Sequence, residues 1–220
     1  MTRQIPPEIT MVPRVTMLPA GTALWRCHRT RYPATGFKSV AAHTLFGGSR
    51  FDCTAEDRYP YLYATREPTT ALAEVFLRSM DFDPVVGARL VPWAQASRYT
   101  LAQVVTTTEL TFVSLRTEED LAAVCQTSWL LDCEPDDYPR TRYWAQELRR
   151  QAKEAHGLLW QSRRHRPREA LVLFGDRCDS VPLHSEPLVS HDLATLAGVD
   201  AANRLLAPLR AAIVPPEPAD

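Results

Sequence analysis

The chain has 220 residues, 45% of them hydrophobic and 23% charged, with a formal net charge of −1. That balance excludes a disordered chain, and the length lets one domain bury a core without disulfides or metal. The near-zero charge excludes a global field that would draw the protein to nucleic acid or an acidic membrane.

Residues 1–20 are punctuated by proline and read as extended, with no apolar run of the signal-peptide kind. ALWRCHR (23–29) reads as a short strand, and residues 30–48 as loop, with Gly36, Gly47 and Gly48. YPYLYAT (59–65) alternates as a strand does. Pro68 and Thr69 open a helix running to about Met80, proline being favoured in a first turn. PVVGARLV (84–91), YTLAQVV (99–105) and TFVSL (111–115) read as strands. Thr117 and Asp120 resemble a capping box for a helix reaching about Thr127. Residues 141–156 form a strongly amphipathic helical pattern that Gly157 is expected to stop. LLWQS (158–162) and EALVLF (169–174) read as late strands, and residues 200–213 as a helix interrupted at Pro208. The tail PPEPAD is expected to fray. Strands outnumber helices without alternating regularly with them, which predicts an α+β fold rather than a doubly wound sheet.

Five cysteines, an odd number without a Cys-x-x-Cys pair, predict neither a disulfide framework nor a zinc site. No apolar stretch approaches membrane-spanning length, so a cytoplasmic enzyme or binding protein is expected.

Glu74 is the one acid inside the apolar helix pattern 68–80. It can be a solvent-facing partner of Arg78, one turn on, worth ~0.3–0.5 kcal/mol. It can equally face a cleft, since Ala71, Ala73 and Leu77 leave the helix little polar surface and a buried acid needs a reason. Arg50 follows Gly47-Gly48-Ser49, glycines that permit a sharp turn or close approach to a ligand. It is either an ordinary loop arginine or a two-pronged clamp for a diphosphate. Tyr61 and Tyr63 share one strand face, as core or as an aromatic platform on which Tyr63 could stack with a cationic ring. Ser162 precedes Arg163, Arg164, His165, Arg166 and Arg168, which with Arg149, Arg150 and Lys153 make a local basic region. That region lacks interleaved aromatics, so direct nucleic-acid binding is not expected. A serine hydrolase is not expected either, since the chain has no Gly-x-Ser-x-Gly elbow.

Four segments, in order, resemble the RES domain family, named for an arginine, a glutamate and a serine. LWRCHR places Arg26 at the family's first arginine. GGSRFD places Arg50 at the naming arginine, with Ser49 intervening where many members have Gly-Arg directly. YLYATREPTTALAEVF places Tyr63 and Glu74 at the family's tyrosine and glutamate. GLLWQSRRHRPREALVLF places Ser162 at the family's serine. The resemblance covers residues 22–178. It leaves 1–21 as an N-terminal extension and 179–220 as a C-terminal helical extension packed on the same domain. It implies an ADP-ribosyltransferase-like fold, with mixed or antiparallel sheets flanked by helices. It also implies NAD as substrate, no metal, and cleavage of the nicotinamide–ribose bond by hydrolysis or phosphorolysis. Arg50, Glu74 and Ser162 would be catalytic, and Arg26, Arg50, Tyr63 and Ser162 would bind NAD. The resemblance further implies a bacterial toxin of a type II toxin–antitoxin pair. Its partner would be an Xre-like helix-turn-helix antitoxin, within whose complex the toxin could form homo-oligomers. A mono-ADP-ribosyltransferase acting on protein or nucleic acid, or a non-catalytic relic that only binds a partner, are the alternatives. The acceptor could be water, phosphate or a macromolecule.

Overall fold

The computed structural model describes residues 6, 8–43, 45–178 and 181–214. Its sheet is built on the period-2 alternation of the late apolar segments. In β7 (Gly157–Gln161) and β8 (Glu169–Phe174), Leu158, Trp160, Ala170, Val172 and Phe174 face one core while Leu159, Leu171 and Leu173 face another. Six more strands extend this pair: β1 (Val15–Leu18), β2 (Ala23–Arg29), β3 (Tyr61–Thr65), β5 (Tyr99–Val105), β6 (Leu110–Leu115) and β9 (Val189–Asp192). The order is β1-β6-β7-β8-β3-β2-β5-β9. Neighbours are antiparallel except β6 and β7, which are parallel.

One face of the sheet is covered by α5 (Tyr138–Gln151) through Trp144, Ala145 and Leu148. A separate apolar cluster joins α1 (Pro68–Phe76) and α6 (Leu196–Leu206) to Leu101 of β5. A two-stranded parallel sheet of β4 (Arg89–Pro92) and β10 (Ala211–Val214) adds Val91 and Ile213 to that cluster. Two short helices, α2 (Trp93–Ala96) and α4 (Trp129–Asp132), complete the chain with α3 (Glu118–Ala123), whose Thr117–Asp120 capping box is present.

Several expected boundaries move, each for a local reason. Helix α1 ends at Phe76 rather than near Met80. Residues 84–88 are a turn, not strand: Asp83 Oδ1 accepts from Val85 N and Val86 N, and Gly87 has φ +62°. Helix α3 ends at Ala123, short of Thr127, and Cys125 just beyond it has φ +57°. Helix α5 begins three residues earlier than expected, with Pro139 in its first turn, and ends at Gln151. Gly157 does not stop it; the glycine opens β7, where a Cβ would run into the Val172 carbonyl. The predicted helix over 200–213 is α6, a 3₁₀ turn at Ala207–Leu209, then strand β10. β1 and β9 were not expected as strands. The PPEPAD tail lies outside the described residues.

Candidate active site

The sheet forks between β2 and β3. β2 pairs with β5 over seven residues but with β3 only at Trp25 and Thr65. Further along β3, Lys38 takes the vacated place, exchanging backbone hydrogen bonds with Tyr61 at 2.8 Å. Arg26 sits in the fork. Its Nε donates to the Tyr63 carbonyl at 3.1 Å, and its Nη1 donates to the carbonyls of Ala34 and Gly36. Arg26 is therefore a wedge that supplies hydrogen bonds the interrupted ladder cannot. Its enclosure brings its pKa down to about 10.

A cleft of about 680 Å³ opens from this fork. Its walls are β2 and β3, the loop through Lys38, the Ser49–Arg50 turn, helix α1 and the turn after Ser162. Eight cationic side chains line it: Arg26, Arg29, Arg31, Lys38, Arg50, Arg78, Arg163 and Arg164. Glu74 is the single carboxylate among them.

Glu74 is half-buried on α1, and the expected pair with Arg78 does not form; Arg78 instead lies over the Tyr138 ring at 5.7 Å. Its partner is the fully buried Ser162, whose Oγ donates to Glu74 Oε1 at 2.6 Å. Ser162 lies behind the carboxylate and does not line the cleft. The same Oγ accepts from Arg164 N at 3.1 Å, tying the basic turn to the acid. Burial, with Arg163 alongside, lowers the Arg164 guanidinium, while Glu74 acts in the opposite direction. One helical turn before Glu74, Thr70 Oγ1 bonds His165 Nδ1 at 2.9 Å.

Arg50 reaches the cleft from a turn that needs its glycines. Gly47 and Gly48 have φ of +65° and +73°, and a Cβ on Gly48 would come within 2.8 Å of Ala42 Cβ. The turn is bound from below by Arg142, 1% exposed, which donates to the carbonyls of His43, Gly47 and Ser49. Thr141 Oγ1 donates to the Arg50 carbonyl at 2.6 Å, and Asp52 Oδ2 accepts from Ser49 N at 3.0 Å. Tyr63 joins this clamp: its hydroxyl accepts from Phe51 N at 2.9 Å, while its ring lines the cleft edge-on to Tyr61 and Trp160. Burial holds that hydroxyl well above its ordinary pKa, hence neutral. Arg50 itself lies over Tyr138 at 4.9 Å, and its Nη1 donates to Leu130 O and Cys133 Sγ, each at 3.0 Å. Its Nε and Nη2, the side-on pair of donors, have no partner among the described residues.

Arg26, Arg50, Tyr63 and Glu74 thus share one cleft, with Ser162 behind it. Arg142 and Tyr138 were not singled out from sequence. The signal for Arg142 was present: it falls on the same helical stripe as Ala145 and Arg149, between the buried Tyr138 and Leu148. The basic region is mostly neutralised by ion pairs. Arg149 bonds Asp57 and Asp176, Arg150 bonds Glu147, Arg163 bonds Glu134, Arg166 bonds Asp132 and Arg168 bonds Glu67. Cys27, Cys53, Cys125 and Cys133 are free thiols, and among the described residues no cluster of His, Cys, Asp and Glu could hold a metal ion.

The fold is α+β, a large mixed sheet flanked by helices, with one acid in a cationic cleft. The family model described as RES domain matches residues 23–195, and the chain belongs to that family. It also resembles a chain in the crystal structure of the M. tuberculosis MbcT–MbcA toxin–antitoxin complex. The TM-score is 0.56 at 16% identity, over 87% of this chain and 92% of that one. At that identity the likeness is one of fold. No curated protein matches the chain.

Proposed function

We propose that the cleft binds NAD and cleaves its nicotinamide–ribose bond, and that the chain is the toxin of a toxin–antitoxin pair. The observation that carries the catalytic reading is the Glu74–Ser162 pair, set in a cationic cleft that also holds the free side-on fork of Arg50. A dinucleotide offers that cleft a pyrophosphate, an aromatic cation and a ribosyl centre that becomes positive as the bond breaks. Arg50 grips the pyrophosphate with Nε and Nη2. Tyr63 packs its ring against nicotinamide in the cationic bound form. The bond breaks heterolytically, its electron pair leaving with nicotinamide, which departs neutral. Glu74 opposes the charge growing on the ribose or binds its hydroxyls, and Ser162 keeps the carboxylate aimed. An oxygen of water or phosphate closes on the ribosyl carbon and gives its proton to solvent.

The toxin reading is supported by membership of the RES domain family and by the fold shared with a chain of a toxin–antitoxin complex. The expected partner is an Xre-like helix-turn-helix protein that covers the cleft. The site of action is the cytoplasm, where NAD is consumed. No helix among the described residues is long and apolar enough to cross a membrane.

The test is to incubate the purified protein with NAD, with and without phosphate, and to follow free nicotinamide and the ribosyl product by chromatography. Loss of NAD with release of nicotinamide is expected; ADP-ribose marks hydrolysis and its 1-phosphate marks phosphorolysis. ADP-ribose attached to an added protein or nucleic acid would replace the reading by a transferase. Intact NAD with folded protein would overturn it.

A further inference from the structure

The cleft holds more cations than one pyrophosphate needs, and two of those without an ion pair, Arg29 and Arg31, lie together at one end. Arg26 is committed to three backbone carbonyls, Arg163 to Glu134 and Lys38 to Asp52. Arg29, at the end of β2, and Arg31, in the turn that follows, have no ion pair and no side-chain hydrogen bond among the described residues. Tyr32 N donates to Arg29 O at 3.0 Å, so the turn fixes the two arginines near each other despite their like charge. Each guanidinium lies over a tyrosine ring, 4.8 Å from its centroid: Tyr99 for Arg29 and Tyr32 for Arg31. Their faces are covered and their N–H edges are free, an arrangement suited to gripping phosphate oxygens.

His28 lines the same wall. Its Nδ1 lies 3.1 Å from the Arg29 carbonyl and must be the donor there. In the neutral ring Nε2 is then an acceptor, and it is buried without a partner. Arg29 is three residues beyond Arg26, ~10 Å along the strand from the point where Arg26 meets Tyr63. Both arginines line the same cleft as Arg50 and Glu74.

We propose that the Arg29–Arg31 end of the cleft is a subsite for a third phosphate, a monoester on the adenosine ribose, so that the protein binds NADP more tightly than NAD. The proposal rests on the reading of the cleft as a dinucleotide site with the pyrophosphate at Arg50. It adds no bond-breaking step: the same glycosidic bond is cut, and the extra phosphate is held without reacting.

Calorimetry with ADP-ribose and 2′-phospho-ADP-ribose, which lack nicotinamide and cannot turn over, tests this on the full chain. The wild type is expected to bind the phosphorylated ligand about tenfold more tightly or better, the scale of one charge-assisted two-pronged contact. The double variant Arg29→Ala/Arg31→Ala should bring the two affinities together, while Arg164→Ala, beside Glu74, should keep the preference. Equal binding of the two ligands by the wild type overturns the subsite. So does a preference that survives in the double variant, or one that Arg164→Ala abolishes equally, which would mark a general charge effect. If neither ligand binds and NAD does not bind either, the dinucleotide reading on which the subsite rests falls instead.

Discussion

If Ser162 acts only through Glu74, the two residues must fail together and not independently. Ser162→Ala deletes one hydrogen bond of 2.6 Å to a carboxylate and leaves Arg164 N without its 3.1 Å acceptor. A hydrogen bond to a charged group contributes ~1.5–3 kcal/mol, which at 1.36 kcal/mol per decade is about a 10–100-fold loss in rate if all of it serves aim. Glu74→Gln removes the charge and keeps the shape, and its amide oxygen can still accept from Ser162. Loss of one well-placed electrostatic contact costs ~10²–10³ in rate. In Glu74→Gln the serine has no charge left to aim, so adding Ser162→Ala should cost nothing more and turnover of the double variant should match Glu74→Gln alone. Independent residues would multiply instead, giving ~10³–10⁵. The assay is NAD consumption, with kcat and KM resolved separately, beside thermal melting of all four proteins. The losses should fall in kcat. A surface pair worth under ~1 kcal/mol would leave no trace in rate. Multiplicative losses, wild-type turnover in Ser162→Ala, or activity lost only in proportion to stability would refute the reasoning.

Arg50→Ala should abolish NAD turnover and weaken NAD binding in titration, and Arg50→Lys should rescue poorly because an ammonium lacks the side-on fork. Arg142→Leu should lower the melting temperature and the activity together, since three carbonyls of the Arg50 turn lose their donor. Gly157→Ala should fail to give a folded, soluble chain in a circular-dichroism melt, because its Cβ meets the Val172 backbone rather than a side chain that can move. Burial lowers the pKa of His28 and His165 below the ordinary 6.5, so neutral imidazole favours the folded state. Their contribution is present above that value and is lost as acid forces protonation through the lower folded values. Melting temperature should therefore fall as the pH is taken below about 6.5, with a shallower fall for His165→Gln.

The elements that could be read from sequence are those whose own side chains alternate or repeat. β2, β5 and β8 match their expected bounds because each carries its burial pattern internally. β1 and β9 were missed because they are edge strands: Val15 and Met17 are exposed, and Val189–Asp192 carries little apolar signal. β10 was read as helix because AAI fits either period; its pairing with β4, more than a hundred residues away in sequence, decides the matter. Gly157 carries the same ambiguity. A glycine after a helical pattern signals a cap, and only the nearness of Val172 shows that it answers to the sheet.

The arginines set the limit on reading a site from this sequence. Composition presents them as one frequent residue type, and the stretch 149–168 looks like a basic patch. In the fold they divide according to what their donors meet. Arg142 and Arg149 are buried, the first among carbonyls and the second between Asp57 and Asp176. Arg163, Arg166 and Arg168 end on carboxylates from other segments. Arg26 completes a broken ladder. These guanidiniums are held by the protein itself, so their charge says little about ligands. What remains in the cleft is Arg50 with its side-on fork open, Arg78 over the Tyr138 ring, Arg164 beside Glu74, and the pair Arg29 and Arg31 with their edges free. Local spacing does not encode that difference, because every neutralising partner named here except Glu147 comes from a distant part of the chain. The chemistry offered to a ligand is the charge left over after the fold has satisfied its own, and in this cleft that remainder surrounds a single acid.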